Sequence, residues 1–314
     1  MSGRLIRMLS TGRAGTKFLA GVFEDQGYVS YHENLYVGEP TSAILQYLYM
    51  LADLWKQDKD GYFSFRSNFA EPYVRNVAGL INGEPQSSPR GFWARLQRQR
   101  QKRERDGYVI HTAHLMTAAT PLIEYEIEKA DLESRGLIVF RNPLKTVHAI
   151  YLAEDARKPG QQAYRIRPQS LVGEGGFLGA ANVWANVYHM ALDQFNFFGD
   201  KKMQFLELEK FSEDAKYAKR VFDFLGLGFD VDRFLVYVGE QLAKPFRSTK
   251  EDSIRNSHLF HDPGFVFSSD QILQIQERIQ DITDAYGINW DECVKDYLYF
   301  HEHEKAQIGF HTPE

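Results

Sequence analysis

The sequence alternates between short apolar segments and longer segments with helical periodicity, and this alternation restricts the folds open to the chain. The predicted strands are Leu5–Leu9, Tyr28–His32, Tyr108–His111, Gly136–Arg141 and Met203–Leu208. The predicted helices are Thr16–Asp25, Ser42–Trp55, Asn182–Phe197, Ser212–Leu225, Ser269–Tyr286 and Trp290–His303. Strands that alternate with helices favour a central, mostly parallel sheet of about five strands with helices on both faces. The predicted fold class is therefore α/β.

Composition and charge exclude several classes of protein. The 314 residues are 43% hydrophobic and 25% charged, which indicates a globular protein with a sizeable core. The net charge of −5 disfavours general nucleic-acid binding, because basic residues on phosphates supply most of that affinity. No segment approaches the ~20 apolar residues of a membrane span. The single cysteine, Cys293, cannot form an internal disulfide, which favours a cytoplasmic protein. From these features together, we expect a cytoplasmic protein without membrane or nucleic-acid partners.

The first predicted strand leads directly into a glycine-bearing loop, Ser10-Thr-Gly-Arg-Ala-Gly-Thr-Lys-Phe18, that opens the first predicted helix. Amide N–H groups at the start of a helix have no partner within the helix, and the positive end of the helix dipole lies behind them. Gly12 and Gly15 allow the backbone to approach a ligand closely. Three further residues add charge or a hydroxyl group: Arg13, Thr16 and Lys17. The loop therefore predicts a site for a multiply charged oxyanion.

The spacing of this loop differs from the Walker A motif of P-loop kinases and NTPases. That motif has four residues between its first glycine and a Gly-Lys-Ser/Thr sequence. Here Thr16 stands between Gly15 and Lys17, and no hydroxyl residue follows Lys17. A kinase or NTPase stays open as an alternative, as does an ordinary strand–turn–helix with basic residues on its surface.

Thr11-Gly-Arg-Ala-Gly-Thr-Lys-Phe-Leu19 resembles the loop that binds the 5′-phosphosulfate in sulfotransferases that use 3′-phosphoadenosine 5′-phosphosulfate (PAPS). Three further segments follow in the order that this family shows. Leu137–His148 resembles the strand and turn that hold the 3′-phosphate, and Phe205–Leu227 resembles the Tyr-Glu-x-Leu strand and the following helix. Arg247-Ser-Thr249 is similar to the loop that closes over the nucleotide. The resemblance implies a P-loop-NTPase-like sulfotransferase fold in a single domain, 1–314.

The resemblance also implies which residues bind PAPS and its product 3′-phosphoadenosine 5′-phosphate (PAP), without a metal. They are Gly12, Arg13, Ala14, Gly15, Thr16, Lys17, Arg141, Ser248, Thr249 and Arg255. The residues 244–314 are expected to supply the nucleotide-closing loop and C-terminal helices. The aromatic-rich residues 41–106 are expected to form a helical insertion that contributes to the acceptor pocket.

The expected reaction is in-line transfer of a sulfuryl group to a hydroxyl or amine of a cytosolic small molecule, such as a natural product or a sugar. In the tyrosylprotein branch of the family, a catalytic glutamate follows the basic residue of the loop by twenty positions, which corresponds to Glu33 here. We assign the general base to Glu33 and the stabilising cations to Arg13 and Lys17. His114 is the competing base, since Thr112-Ala-His-Leu115 is loosely similar to the histidine segment of the cytosolic branch.

Three departures from the family pattern keep other functions open. The usual serine of the loop is Ala14, a serine expected after the Arg-Asn-Pro turn is Ala149, and the tyrosine of Tyr-Glu-x-Leu is Leu208. A pseudoenzyme that binds the nucleotide without turnover therefore remains an alternative. A carbohydrate or a peptide tyrosine remains an alternative acceptor, and the sequence leaves the oligomeric state open.

Overall fold

The computed structural model describes residues 3–11, 14–28, 30–31, 50–64, 66–82, 107–112, 116–155, 173, 176–243 and 266–308. The chain divides into two compact units. The first contains Met1–Phe140 and Met190–Gln241, and the second contains Arg141–His189 and Leu242–Glu314. The expectation of a single domain over 1–314 stays a prediction.

The first unit is built on a parallel sheet of five strands. They are β1 (Arg4–Leu9), β2 (Ser30–Tyr31), β3 (Tyr108–His111), β4 (Glu133–Phe140) and β5 (Met203–Glu207). Their order is β2-β3-β1-β4-β5, so β1 lies at the centre between β3 and β4. The predicted α/β class with a mostly parallel sheet is confirmed. The strand order reverses beside β1, which is where open α/β sheets bind ligands, outside the carboxyl ends of the strands.

The helices have the following bounds along the chain. They are α1 (Thr16–Asp25), α2 (Lys59–Ser64), α3 (Arg66–Ile81), α4 (Thr120–Lys129), α5 (Pro143–Asp155), α6 (Gly176–Phe198), α7 (Leu208–Glu213), α8 (Ala215–Leu225), α9 (Val231–Ala243), α10 (Ser269–Ala285) and α11 (Trp290–Ile308). Residues 50–57 are also helical, and Met116–Ala119 form a short 3-10 helix. Among the described helices, none is both long enough and apolar enough to cross a bilayer.

Among the described residues, five strand boundaries differ from the sequence prediction. Two differ by one residue only: β1 begins at Arg4 and not at Leu5, and β4 ends at Phe140 and not at Arg141. Tyr28 does not begin β2, because its N–H donates to the carbonyl of Phe23 in the turn that ends α1. β4 begins at Glu133, three residues earlier than predicted, since its polar first residues pair with β1. β5 ends at Glu207 because Leu208 is already the first residue of α7.

One face of the sheet carries the main core of the first unit. Alternate residues of a strand share a face, so Ile6 and Met8 of β1 lie beside Leu137 and Val139 of β4 on this side. Helices α1, α7, α8 and α9 cover them with the buried side chains Phe23, Phe211, Phe222 and Phe234. Burial of rings of this size supplies much of the stabilisation of such a core, and it fixes α1 against β1.

The opposite face of β1 contains a buried ion pair. Arg7 is completely buried, and its guanidinium group pairs with the carboxylate of Glu124 on α4. Ser134 Oγ donates to this carboxylate at 2.6 Å, and Lys202 Nζ lies 3.2 Å from it. The carboxylate therefore joins β1, β4 and the residue before β5 to α4.

Candidate active site

The turn between β1 and α1 is held in a conformation that needs glycine. Gly15 is the N-terminal cap of α1 and has φ +84°, in the left-handed region, where other L-residues are strained. Its carbonyl accepts the first hydrogen bond of the helix, from Leu19 N–H at 3.0 Å. A Cβ atom on Gly15 would collide with Cδ2 of Leu208. The backbone angle therefore disfavours a side chain at this position, and Leu208 would have to shift to admit one.

Within the described part of the chain, no side chain caps the N-terminal end of α1. None of the described side chains accepts a hydrogen bond from the amides at this cap, and the first turn contains no acidic residue. Two other described helices do have side-chain caps: Asp214 accepts from two amides at the start of α8, and Ser268 forms a capping box on α10. Helices α4 and α7, like α1, have none. The amides that open α1, with the positive end of its dipole, can therefore accommodate an external anion.

The side chains of this turn divide between the core and solvent. Ala14 is completely buried and belongs to the main core, so the serine usual at this position would place a hydroxyl group among apolar side chains. Thr16 is buried, whereas Lys17, on the same first turn of α1, is exposed. The structure thus brings Ala14, Gly15, Thr16 and Lys17 together at the carboxyl end of β1.

The residues at the carboxyl ends of β2 and β3 are held by hydrogen bonds. Thr112, directly after β3, donates from its N–H to the carbonyl of Tyr31 at 2.9 Å, which fixes the end of β2. His111 is completely buried, and its Nδ1 lies 2.9 Å from the hydroxyl of Tyr73 on α3. Burial raises the pKa of Tyr73 well above its ordinary value, with a smaller opposing effect of the Arg7 charge, so this hydroxyl stays protonated. His111 is thus placed inside the protein as a hydrogen-bond partner.

In the second unit, Arg141 is half-buried and follows the last residue of β4 directly. Asn142 caps the start of α5: its Oδ1 accepts from Lys145 N–H at 3.3 Å, and Pro143 occupies the first helical position. Asn142 Nδ2 in turn donates to Asp296 of α11 at 2.8 Å, and Lys145 Nζ lies 2.7 Å from the same carboxylate. The Arg-Asn-Pro turn is therefore fixed on both sides of its proline.

Ala149, the second position at which the sequence lacks an expected serine, is buried. It lies buried on α5, one turn after Lys145. The structure places it in the apolar interior of the second unit, where a hydroxyl group needs a partner.

Several of the residues assigned from the sequence lie outside the described residues. These are Gly12, Arg13, Glu33, His114, Ser248, Thr249 and Arg255. Their assignments as cofactor ligands, cations or base stay predictions.

Sequence reasoning did not find two polar groups on the α4 side of the sheet. One is the Arg7–Glu124 pair, although an arginine inside an apolar strand is a signal that a buried acidic partner exists. The other is the pair Thr117 and Gln194, for which the sequence offers no signal. Within the described parts of the chain, no group of three His, Cys, Asp or Glu residues is placed to hold a metal ion.

No family model matches the chain, and no curated protein matches its sequence. Among solved structures, the chain is similar to the sulfotransferase domain from the Synechococcus PCC 7002 olefin synthase, with 13% identity, a TM-score of 0.46, and coverage of 90% of this chain and 95% of that chain. It is also similar to the sulfotransferase domain from the curacin biosynthetic pathway, with 12% identity, a TM-score of 0.45, and coverage of 92% and 99%. Mouse sulfotransferase SULT7A1 complexed with PAP is 16% identical, with a TM-score of 0.43 and coverage of 94% and 88%.

Proposed function

We propose that the chain is a PAPS-dependent sulfotransferase that acts on a hydroxyl or amino group of a small molecule. The observation that carries this proposal is the turn at the carboxyl end of β1. There a left-handed Gly15 opens α1, none of the side chains that the structure describes caps the first amides, and Lys17 supplies an exposed positive charge. The sequence around this turn resembles a phosphosulfate loop and departs from Walker A spacing.

The described residues fit the chemical groups of this nucleotide. Amides at a helix N-terminus bind phosphate oxygens, and Lys17 adds a point charge beside them. Arg141, presented by the fixed Arg-Asn-Pro turn, has the planar group that suits a second phosphate. Bound PAPS supplies an activated sulfuryl group. The proposal assigns the 5′-phosphosulfate to the β1–α1 turn and the 3′-phosphate to Arg141.

The remaining steps fall to side chains of this chain. Glu33 removes the proton from the acceptor hydroxyl or amine, a role worth roughly 10²–10⁴ in rate for a well-placed base. Arg13 and Lys17 neutralise the negative charge that grows on the leaving oxygen. The amides of α1 keep the donor phosphate in line, so positioning and electrostatics carry most of the rate enhancement. None of these roles needs a metal.

Calorimetric titration with PAP tests the nucleotide part of the proposal. We expect PAP to bind without a divalent cation, and to bind more tightly than ATP with magnesium. Stronger binding of magnesium–ATP than of PAP would favour the P-loop kinase or NTPase alternative and overturn the proposal.

A second experiment tests catalysis and the choice of base. The protein is incubated with PAPS and a panel of phenols, amines and sugars, and each product is examined by mass spectrometry for an added sulfuryl group. Glu33→Gln is expected to abolish transfer while PAP still binds, and His114→Ala is expected to retain it. PAP binding with no transfer to any acceptor class would instead favour a pseudoenzyme, and full activity in Glu33→Gln would remove the assigned base.

A further inference from the structure

Two adjacent side chains in the first unit carry buried polar atoms without a hydrogen-bond partner among the described residues. They are Oγ1 of Thr117 and Oε1 of Gln194. Both residues are only 1% exposed. The other amide atom of Gln194, Nε2, donates to the backbone carbonyl of Thr117 at 2.7 Å, so the side chain of Gln194 lies against the backbone of Thr117. Nearly all buried polar atoms in folded proteins are paired, so these two need an explanation.

The pair lies at the level of the β1–α1 turn. Thr117 belongs to the 3-10 helix Met116–Ala119, which contacts β1. The residue after Gln194, Phe195, packs its ring on Phe205 of β5, with ring centroids 4.3 Å apart. Phe205 pairs with Ile138 of β4, and Ile138 is opposite Leu9, the last residue of β1. Thr117 and Gln194 therefore lie near the carboxyl edge of the sheet, where ligands of open α/β sheets bind.

An aromatic pair of the predicted acceptor region lies beside the same 3-10 helix, with Tyr62 in direct contact. The hydroxyl of Tyr62 donates to the carbonyl of Ala118 at 2.7 Å, directly beside the carbonyl that Gln194 uses. Trp55 packs edge-on against Tyr62, with ring centroids 5.1 Å apart, and its Nε1 is also buried without a partner among the described residues. Large rings beside a few unsatisfied polar atoms are the usual composition of a small-molecule pocket.

The nearby charges belong to the same region. Lys59 Nζ lies over the ring of Trp55, and Asp193 precedes Gln194 on α6. Desolvation lowers the pKa of Lys59, and the charge of Asp193 opposes that change. The local positive and negative charges thus offset each other, which favours a neutral polar group over a multiply charged ion as the occupant.

We propose that Thr117 and Gln194 form a polar subsite that binds a hydroxyl or amino group of the acceptor. This inference rests on the proposed function, because it assigns the subsite to the acceptor of that reaction. Oε1 of Gln194 can only accept a hydrogen bond, so the occupant must donate one. The hydroxyl of Thr117 can accept or donate a hydrogen bond. A hydroxyl group on the occupant could therefore donate to Gln194 and accept from Thr117. An ether or a carboxylate lacks the required donor.

The stability of the free protein provides a readout that is independent of activity. An unpaired buried hydroxyl is unfavourable, so Thr117→Val, which keeps the shape and removes the hydroxyl, is expected to raise the midpoint of thermal unfolding. Thr283→Val is the matched control, because the buried Thr283 hydroxyl donates to the carbonyl of Gln280 at 2.9 Å. The control is expected to lower the unfolding midpoint.

The binding test uses two probes that differ in one hydroxyl group, 4-nitrophenol and nitrobenzene. In the wild-type protein with PAP bound, we expect 4-nitrophenol to bind about tenfold or more tightly than nitrobenzene. Thr117→Val and Gln194→Met should each reduce this ratio to near one, whereas Thr283→Val should keep it. PAP affinity should be the same in all four proteins.

The possible outcomes separate the subsite from the proposed function. If the wild-type ratio is near one, or if Thr117→Val preserves the discrimination, the subsite holds only a buried water and the inference is overturned. If PAP fails to bind the wild-type protein, the proposed function fails whatever the probes show. If PAP binds and the ratio falls only in the two subsite variants, both proposals stand.

Discussion

Leu208, the first residue of α7, occupies the space in which a side chain on Gly15 would lie. Leu208 stands where the sequence resemblance would place a tyrosine. It couples the end of β5 to the start of α1. An apolar side chain of α7 therefore packs against the turn that is expected to bind the phosphosulfate.

Gly15→Ala is expected to weaken both folding and nucleotide binding. An alanine in the left-handed region costs about 1–2 kcal/mol, and the collision with Leu208 adds to that cost. Urea unfolding measures the stability, and titration with PAP measures the binding. The double variant Gly15→Ala/Leu208→Ala removes the collision but leaves the backbone strain, so it should keep the binding defect. Unchanged PAP affinity in Gly15→Ala would show that this turn does not bind the nucleotide.

The turn itself was predictable because its signals are local. The predicted helix Thr16–Asp25 has the same bounds as α1. An apolar strand, two glycines and an amphipathic helix follow one another directly in the sequence, so local patterns were enough to predict this turn. The helix 50–57 overlaps the end of the predicted helix Ser42–Trp55, whose other residues lie outside the described part of the chain.

The polar contacts on the α4 side were not predictable in the same way. Arg7 and Glu124 are 117 positions apart, and Thr117 and Gln194 are 77 apart, so only the folded sheet brings them together. An arginine inside an apolar strand indicates that a buried acidic partner exists but does not identify it, and Thr117 and Gln194 are residue types that are ordinary at exposed positions. Local patterns predicted strands and helices, whereas buried polar partners depend on long-range packing.

The buried Arg7–Glu124 pair predicts a large effect on stability. Glu124→Gln keeps the shape of the side chain but leaves the Arg7 charge buried without a counter-charge, which should cost about 3–5 kcal/mol. Glu128→Gln is the matched control on the same helix, because its exposed carboxylate lies 3.5 Å from Lys202. The control should cost less than about 1 kcal/mol. Equal urea unfolding curves for the two variants would mean that the Glu124 carboxylate is not needed to stabilise the buried charge of Arg7.

Asp214 predicts a pH dependence of stability. The N–H of Tyr217 donates to its carboxylate and lowers the pKa of Asp214, against a smaller opposing effect of desolvation. A lowered pKa in the folded state means that the ionised cap stabilises the protein above the unfolded pKa, and that this contribution is lost as the pH falls through the folded pKa. The thermal midpoint of the wild-type protein should therefore fall between about pH 5 and about pH 3.

Asp214→Asn separates the charge from the cap. Asparagine is also a good N-terminal cap, so this variant should retain most of the stability at neutral pH and lose less of it on acidification. Asp214→Ala should be less stable than Asp214→Asn at neutral pH. If all three proteins lose the same number of degrees on acidification, other carboxylates determine the acid sensitivity.

Tyr297 of α11 predicts a localised loss of stability in the second unit. Its hydroxyl accepts from the N–H of Phe267 at 3.1 Å and lies 3.0 Å from Nδ1 of the buried His148. Burial raises the pKa of Tyr297 well above its ordinary value, so the hydroxyl stays protonated at neutral pH. Tyr297→Phe removes this hydroxyl from two buried groups at once, which should cost about 2–3 kcal/mol.

Tyr286→Phe is the control for that prediction. The hydroxyl of Tyr286 makes one part-buried hydrogen bond, to the carbonyl of Tyr188 at 2.9 Å, so its loss should cost about 1 kcal/mol. Urea unfolding gives the two free energies, and amide hydrogen exchange at Phe267 shows whether its N–H has lost protection. If the hydroxyl joins α11 and α5 to Phe267, two residues before α10, we expect a larger loss in Tyr297→Phe and faster exchange at Phe267. Equal losses with unchanged exchange would mean that aromatic packing around Tyr297, which phenylalanine retains, already fixes these elements.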